Sequence, residues 1–327
     1  MAVKRSSVDD ELARVRAAAA DPRTPSATED ITRGLSSKHA RVVKAAAQLV
    51  KSRRLEGFTK ALQAAYGRLL EDAVKRDPGC QAKLAVLEAL DFTESMDEEP
   101  FVAATSLVQL EPAWGKPVDS AGPCRGRAIL ALARIGHADT VLLAGALLAD
   151  TEVSARAAAA DALANSGVRH GAGVLLLKLA VGDEDPLVLL GCMSGVLSLA
   201  PEVALARFGP VLHGPDEQQR ELVAVSFGQS TRADACRALI TALDACVLSK
   251  ERAVLLRALG LHRSDAALEA LLGIIDRGND VDAKAAIRAL APRRFDPGLR
   301  ARVERVVSGQ AGLERECAEA FKDESTT

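Results

Sequence analysis

The sequence contains few aromatic residues. Its 327 residues include one Trp, one Tyr and seven Phe, whereas Ala and Leu make up most of the apolar 48%. Ala and Leu favour helices, and no stretch has the Val-, Ile- and Thr-rich alternation that is typical of a half-buried strand. We therefore expect an all-α fold without a sheet. The shortage of aromatic side chains and the formal net charge of −2 also argue against general nucleic-acid binding.

Export signals and long apolar runs are missing as well. Met1–Asp10 is polar and charged, Ala17–Ala20 is too short for the apolar centre of a signal peptide, and Val141–Ala149 ends at Asp150 before it could cross a membrane. The six cysteines are scattered without the CxxC spacing that is typical of metal sites. We therefore expect a cytoplasmic protein with reduced thiols and no membrane insertion.

Motifs that carry chemistry are also missing. Gly-x-Ser-x-Gly, the P-loop and the dinucleotide-binding glycines do not occur, and the five histidines are followed by Ala, Ala, Gly, Gly and Arg. The sequence thus predicts no catalytic residue, no metal ligand and no cofactor.

What the sequence does contain is a repeat. Cys124–Asp139 and Ser154–Gly167 both begin near a basic residue, continue with Ala and Leu at helical spacing, and end at a small or polar residue. The Leu that closes this pattern has a counterpart every 30 to 42 residues along the chain, at Leu49, Leu90, Leu132, Leu163, Leu197, Phe227, Leu259 and Leu290. A period near 30 residues fits two helices and two short turns, and such units bury their apolar faces only by stacking on each other.

These units resemble HEAT-like repeats, in particular the short repeats of phycobilin lyases. The closest matches are VSARAAAADALANSG, KERAVLLRALGLH and DAKAAIRALA. The likeness extends from about Ala27 to about Val307 and implies an all-α, right-handed α-solenoid of about eight helical hairpins. The matching residues are those that pack the repeats, so the resemblance implies a fold and no activity.

The expected organisation has three parts. Residues 1–26 form an N-terminal helix and a Pro-containing linker. Residues 27–307 form the solenoid, with longer and irregular repeats to about residue 123, regular repeats over 124–291 and a capping helix to 307. Residues 308–327 form a short helix and a frayed tail.

The longest Pro- and Gly-rich segment, EPAWGKPVDSAGP over residues 111–123, holds the only Trp of the chain. Its prolines and glycines exclude a helix around Trp114. Two readings are open at this stage. Trp114 either presents an aromatic anchor to a partner or plugs a gap between two repeats of unequal length, and the plug is favoured because large aromatic side chains are mostly buried.

A basic residue often stands seven positions before the aligned Leu, in a ladder made of Lys83, Arg125, Arg156, Arg220 and Arg252. Seven residues are nearly two helical turns, so each aliphatic stem can lie along the core while its charged head emerges. We favour a structural ladder whose heads pair with acids of the preceding turn, for example Asp150, Asp185, Asp216 and Asp280. The alternative is an exposed basic ridge that binds an acidic partner or nucleic acid.

The function expected from these features is that of a non-enzymatic scaffold or adaptor. It would bind another protein or peptide along a concave surface of inner helices. The expected partner contacts are Lys44, Glu88, Trp114, Arg134, Asp161 and Arg257. The alternatives are nucleic-acid binding through the basic ridge and a lyase-like or metal-dependent HEAT-repeat enzyme or accessory factor. Deoxyhypusine hydroxylase, an iron enzyme of similar repeats, has paired His-Glu motifs that this chain lacks. No spacing predicts an oligomeric state.

Overall fold

The computed structural model describes residues 7–322, which are mainly helical. The chain forms two compact units, one ending at Val168 and one beginning at Arg169. The helices of the N-terminal unit are α1 Val8–Ala18, α2 Pro25–Leu35, α3 Ala40–Arg53, α4 Thr59–Leu70, α5 Ala73–Arg76, α6 Gln81–Phe92, α7 Glu99–Thr105, α8 Gly122–Ile135, α9 Thr140–Leu147 and α10 Val153–Asn165. The helices of the C-terminal unit are α11 Gly171–Val181, α12 Pro186–Leu199, α13 Pro201–Phe208, α14 Glu217–Gln229, α15 Ala233–Ala245, α16 Ser249–Leu261, α17 Asp265–Arg277, α18 Asp280–Leu290, α19 Pro297–Val307 and α20 Ala311–Ala320.

Consecutive helices pack as hairpins, and within each unit the second helix of one hairpin stacks on the second helix of the next. We call these stacks the second-helix rows. The row of the N-terminal unit contains α3, α6, α8 and α10, and that of the C-terminal unit contains α12, α14, α16, α18 and α20. All eight aligned Leu and Phe positions are buried in these rows. The predicted all-α, HEAT-like repeat architecture is therefore confirmed.

Small residues set how closely the helices of a row approach. In the C-terminal unit a Cβ added at Gly228 would lie 2.4 Å from the carbonyl oxygen of Ala258, and one added at Gly260 would lie 2.2 Å from that of Ala289. Neither position has room for a side chain, because the backbone of the next helix already occupies the space. Each of these glycines directly follows an aligned apolar residue, so the repeat places them where neighbouring helices touch.

Helices stand at both ends of the described chain. The N-terminal helix α1 packs on α2 and α3 and begins with a capping box in which Ser7 and Asp10 exchange hydrogen bonds. At the other end α19 finishes at Val307, and α20 packs on α18 and so continues the second-helix row. The outermost residues of the predicted tail, 323–327, lie outside the described residues, as do residues 1–6.

The expectation that the chain has no sheet was wrong at one place. Between α7 and α8 two short strands, β1 Leu110–Glu111 and β2 Val118–Asp119, pair in antiparallel fashion. The chain reverses between them over a segment in which Gly115 has a φ of +108°. Two residues per strand are too few to produce a period-2 pattern, which is why no strand was expected. We call Gln109–Ser120 the anchored hairpin, for reasons given below.

Candidate functional site

The charged head of each ladder residue is hydrogen-bonded to an acceptor at the same separation in sequence. Each donates a hydrogen bond to an acceptor six residues earlier, in the turn that precedes its helix. In the first two cases the acceptor is a carboxylate: Lys83 Nζ lies 3.2 Å from Asp77 Oδ2, and Arg125 Nη1 lies 2.6 Å from Asp119 Oδ2. In the other three it is a backbone carbonyl, of Asp150 for Arg156, Gly214 for Arg220 and Cys246 for Arg252.

Acidic side chains do join the ladder, but they come from the following repeat. Asp150 accepts two hydrogen bonds from Arg125, both of 2.7 Å. Glu251 lies 3.2 Å from Arg220, and Asp282 accepts from Arg252 at 2.8 Å. The heads therefore connect one second helix to the next. An acid of the preceding segment binds Lys83 and Arg125, namely Asp77 and Asp119. Of the four acids expected to pair with the ladder, Asp150 does bind a ladder head, but that head is Arg125 of the preceding repeat.

The other three expected acids make other contacts, because they stand where helices begin. The carboxylates of Asp185 and Asp216 accept from backbone N–H groups at the starts of α12 and α14, and that of Asp280 binds Lys284 one turn further along α18. A carboxylate at the N-cap accepts hydrogen bonds from N–H groups that have no partner within the helix, and it is then not bound to a ladder residue.

The ladder is too deeply buried to form a ridge on the surface. Lys83 is 0% exposed, Arg125 4%, Arg156 6% and Arg220 5%. The Arg252 side chain is 17% exposed and bound to Asp282. The alternative of an exposed basic ridge made of these heads was therefore wrong. The sequence predicts that the aliphatic stems of these side chains lie along the core. It does not predict that their charged heads are buried as well.

Two of the ladder residues hold the anchored hairpin by its base. Gln109 Oε1 accepts from Lys83 Nζ at 2.9 Å, and Asp119 accepts from Arg125 at 2.6 Å. Asp119 also accepts from the backbone N–H groups of Gln109 and Ala121, both at 3.0 Å. Burial by itself raises the pKa of Asp119, but these hydrogen bonds outweigh it and lower the pKa overall.

Glu111 closes the base from the other strand. Its Oε1 accepts from Ser120 Oγ at 2.6 Å, from the backbone N–H of Gly79 at 2.6 Å and from Gln109 Nε2 at 2.7 Å. These three donors lower the pKa of Glu111, because each stabilises the ionised carboxylate. The hairpin thus stands on a base of charged and neutral hydrogen bonds, several of which end on helix α6 or α8.

The outer part of the hairpin is exposed and apolar. Trp114 is 107% exposed, and the flanking Val108, Leu110 and Val118 are 61%, 58% and 54% exposed. Trp114 therefore plugs no gap between repeats, and that reading was wrong. The three flanking apolar side chains were missed, because nothing in the sequence distinguishes them from core residues.

The other expected contacts lie on the second-helix rows, where their charges are mostly used within the protein. Lys44 donates to Gln81 at 2.9 Å, Glu88 binds Lys51 at 2.9 Å, and Arg134 binds Asp91 at 2.7 Å. Arg257 lies 3.2 Å from Glu221, with both side chains more than half exposed. Asp161 is exposed on α10.

Each of these pairs joins two adjacent helices of the same row. Hydrogen bonds and ion pairs therefore link neighbouring helices on the surface of each row. In the N-terminal unit Phe92 adds an aromatic ring to this surface, with Lys51 Nζ 4.7 Å from the ring centroid and Arg127 5.9 Å away. Within the N-terminal unit, Trp114 lies on the anchored hairpin, whereas Lys44, Glu88, Arg134 and Asp161 lie on helices of the row.

Other kinds of site find little material in the part of the chain that is described. Over residues 7–322 no three His, Cys, Asp or Glu side chains are grouped as metal ligands. None of the helices in that range has both the length and the apolar character needed to cross a bilayer.

The sequence matches no protein-family profile, and it matches no curated protein. Solved structures do show similar helical folds. The karyopherin Kap121p bound to Nup53p aligns over 98% of this chain and 40% of its own, with 15% identity and a TM-score of 0.46. The CpcE–CpcF complex of phycocyanin lyase from Nostoc aligns over 97% and 100%, with 16% identity and a TM-score of 0.37.

Human deoxyhypusine hydroxylase in complex with glycerol aligns over 86% of this chain and 96% of its own, with 15% identity and a TM-score of 0.30. The chain spans about two-fifths of the length of the karyopherin chains that it matches, because each alignment covers 40% of the karyopherin chain. At such identities the likeness concerns the arrangement of helices alone.

Proposed function

We propose that this chain is a non-enzymatic scaffold that binds another protein, and that the exposed part of the anchored hairpin is its main contact. The observation that carries the proposal is the combination of a fully exposed Trp114 with a base held by buried ion pairs. Trp is over-represented among residues that dominate binding energy. A rigid support lets such a residue bind without a large loss of conformational entropy.

The apolar residues around Trp114 support the same reading. Leu110 and Val118 of the hairpin, and Val108 directly before it, are each more than half exposed. Exposed apolar side chains of this kind can enter an apolar groove of a partner protein. The surface of the second-helix row would then be a secondary contact, because its charges already pair across neighbouring helices.

The proposal is tested by co-purification from the native host with quantitative mass spectrometry. Trp114→Ala should deplete a specific set of proteins that the wild type retains. Phe295→Ala is the matched control, since Phe295 is an aromatic residue that is 71% exposed in the other unit. Equal recovery with the wild type and Trp114→Ala would contradict the proposal.

A purified partner allows the two surfaces to be ranked. Loss of a central Trp is expected to cost about 2 kcal/mol, or roughly thirtyfold in Kd. Arg257→Glu tests the second-helix row without unfolding it, because Arg257 and its partner Glu221 are both largely exposed. If Arg257→Glu weakens binding more than Trp114→Ala, the row is the primary surface.

A further inference from the structure

A pair of buried thiols lies beneath the anchored hairpin. Cys80 and Cys124 are 1% and 0% exposed and 44 residues apart in sequence. The Cys124 thiol donates a hydrogen bond to the backbone carbonyl oxygen of Cys80, with 3.9 Å between the sulfur and the oxygen. The Cys80 sulfur is 3.4 Å from Ser120 Oγ, at the base of the hairpin. Neither the repeat packing nor the proposed binding function requires a thiol at these two positions.

The surroundings of the pair favour a thiolate at Cys80. Cys80 is the residue before α6, and it holds a left-handed backbone conformation with a φ of +52°. Cys124 lies in the first turn of α8. The start of a helix carries a partial positive charge that stabilises an anion, and the ammonium group of Lys83 adds to it.

Hydrogen bonding divides the two thiols into an acid and a base. The hydrogen bond from Cys124 lowers the pKa of Cys80 to about 7 against the effect of burial, with smaller help from Ser120 and Lys83. The same hydrogen bond, together with burial, raises the pKa of Cys124. The hydroxyl of Tyr66 has no hydrogen-bond partner among the described residues. Burial raises the pKa of Tyr66, and the nearby charges of Cys124 and Cys80 raise it further. The pKa of the Cys80 thiol is therefore lowered and that of the Cys124 thiol is raised, so Cys80 is the thiol that ionises more readily.

We propose that Cys80 and Cys124 are an oxidation site, which hydrogen peroxide converts into an intramolecular disulfide. The Cys80 thiolate attacks one oxygen of the peroxide, so that an S–O bond forms, the O–O bond breaks and hydroxide leaves. The Cys124 sulfur then attacks the Cys80 sulfenic acid, forming the S–S bond. The hydroxyl of the sulfenic acid leaves as water with the Cys124 thiol proton, and the hydroxide of the first step takes up the proton that Cys80 lost when it ionised. Two thiols and one peroxide thus give one disulfide and two waters.

The disulfide would enclose the whole anchored hairpin. It joins the start of α6 to the start of α8, and the hairpin lies in the chain between them. Such a link reduces the conformational freedom of the unfolded chain, so the oxidised protein should have a higher Tm than the reduced one. The proposal is independent of whether the hairpin binds a partner.

The test uses the full chain, first reduced and then treated with one to a few equivalents of hydrogen peroxide. Free thiols are blocked with N-ethylmaleimide under denaturing conditions, and trypsin peptides are mapped without reduction. We expect residues 77–83 to be linked to residues 84–125, which trypsin leaves whole because Lys116 precedes a proline. The number of free thiols should fall from six to four and return to six with dithiothreitol.

Three variants sharpen the test. Cys80→Ser and Cys124→Ser should each abolish the linkage, whereas Cys246→Ser should leave it unchanged, since Cys246 is the one partly exposed thiol among the six. Peroxide that oxidises Cys246 without producing the 77–83 to 84–125 linkage would overturn the proposal, as would a linkage to any other cysteine. The mapping of the wild type decides the matter even if a serine variant fails to fold.

Discussion

Arg125 in the N-terminal unit and Arg252 in the C-terminal unit occupy the same position of their repeats but hold different structures together. Both donate to an acceptor six residues back and to an aspartate of the next repeat. For Arg252 the earlier acceptor is a backbone carbonyl in a short turn. For Arg125 it is the carboxylate of Asp119, which belongs to the anchored hairpin. The same repeat position therefore serves a plain helix-to-helix link in one unit and supports an inserted structure in the other.

This comparison shows how an insertion can be rigid without a core of its own. The hairpin has only two residues per strand, and an isolated hairpin of that length is not stable in water. It is held by hydrogen bonds from ladder cations that the repeat already fixes: Arg125 donates to the Asp119 carboxylate, and Lys83 donates to the side-chain oxygen of Gln109. A carboxylate in place of a carbonyl adds a charge to the contact, and charge-assisted hydrogen bonds are stronger than neutral ones.

The largest expected effect is that of removing the Arg125 head. Arg125→Met should lower the free energy of unfolding by about 3 to 5 kcal/mol, because the carboxylates of Asp119 and Asp150 are then left buried without their cation. Arg252→Met should cost roughly 2 kcal/mol, since Asp282 keeps its hydrogen bond from Asn279. Urea unfolding followed by circular dichroism measures both. If both variants lost the same free energy of unfolding, the carboxylate of Asp119, which has no counterpart at Arg252, would contribute nothing to the stability of the hairpin.

The second effect concerns close contact between helices of a row. Gly260→Ala should lower the free energy of unfolding by about 1 to 3 kcal/mol, because its Cβ would lie 2.2 Å from the Ala289 carbonyl oxygen. At Gly126 in the N-terminal unit the nearest atom would be 3.0 Å away. The clash there is milder, and the higher helix propensity of Ala offsets part of it, so Gly126→Ala should cost less.

Gly67→Ala is the control for this pair, and thermal denaturation followed by circular dichroism measures all three variants. No atom would lie within 4 Å of a Cβ at Gly67, which is on α4. This change should stabilise the protein by about 0.5 to 1 kcal/mol through helix propensity alone. If Gly260→Ala behaves like Gly67→Ala, the two helices of the row do not touch as closely as described.

How far the sequence predicts this structure depends on whether a feature repeats. The aligned Leu positions recur, and all of them are buried in the second-helix rows as expected. The ladder position recurs too, and its stems lie inside. Its partners could not be predicted, because any residue supplies a carbonyl and three of the five acceptors six residues back are carbonyls. A periodic pattern of residue types predicts where side chains lie, but it does not predict which backbone carbonyl accepts a hydrogen bond.

The candidate site was the least predictable part, because it occurs once. Trp114 was singled out by its rarity, but composition does not show whether a Trp is buried. Its exposure depends on Gln109, Glu111 and Asp119, which fix the direction of the hairpin and belong to no repeat pattern. A polar residue in a Pro-rich loop looks the same in sequence whether it meets solvent or a buried lysine.

The third expected effect is a dependence on pH that distinguishes the hairpin from the turn before α16. The pKa values of Asp119 and Glu111 are lowered in the folded state. Their contribution to stability is thus complete above the unfolded values, near pH 4, and is lost as the pH falls below them through the folded pKa values. Hydrogen exchange of the hairpin amides, corrected for intrinsic rates, should be slow and constant from about pH 5 to 7 and faster below about pH 4.

Asp119→Asn supplies the control for the effect of pH. The variant should exchange faster than the wild type at pH 7 and vary less with pH, because one of the two titrating carboxylates is gone. The turn before α16 is the internal reference, since its contacts to Arg252 are carbonyls that do not titrate. Hairpin and reference amides that respond equally to acid would contradict the difference between the two units.

The smallest expected effect separates the tip of the hairpin from its base. Trp114→Ala should change the free energy of unfolding by less than about 0.5 kcal/mol, because the fully exposed side chain buries no apolar surface. It should also leave the exchange of the hairpin amides unchanged, since those depend on Asp119, Glu111 and the ladder. A loss of several kcal/mol would show that the tip packs against the repeats, and Trp114 would then be a structural residue and no candidate for binding. With stability unchanged, any loss of partner binding in this variant is due to the missing contact itself.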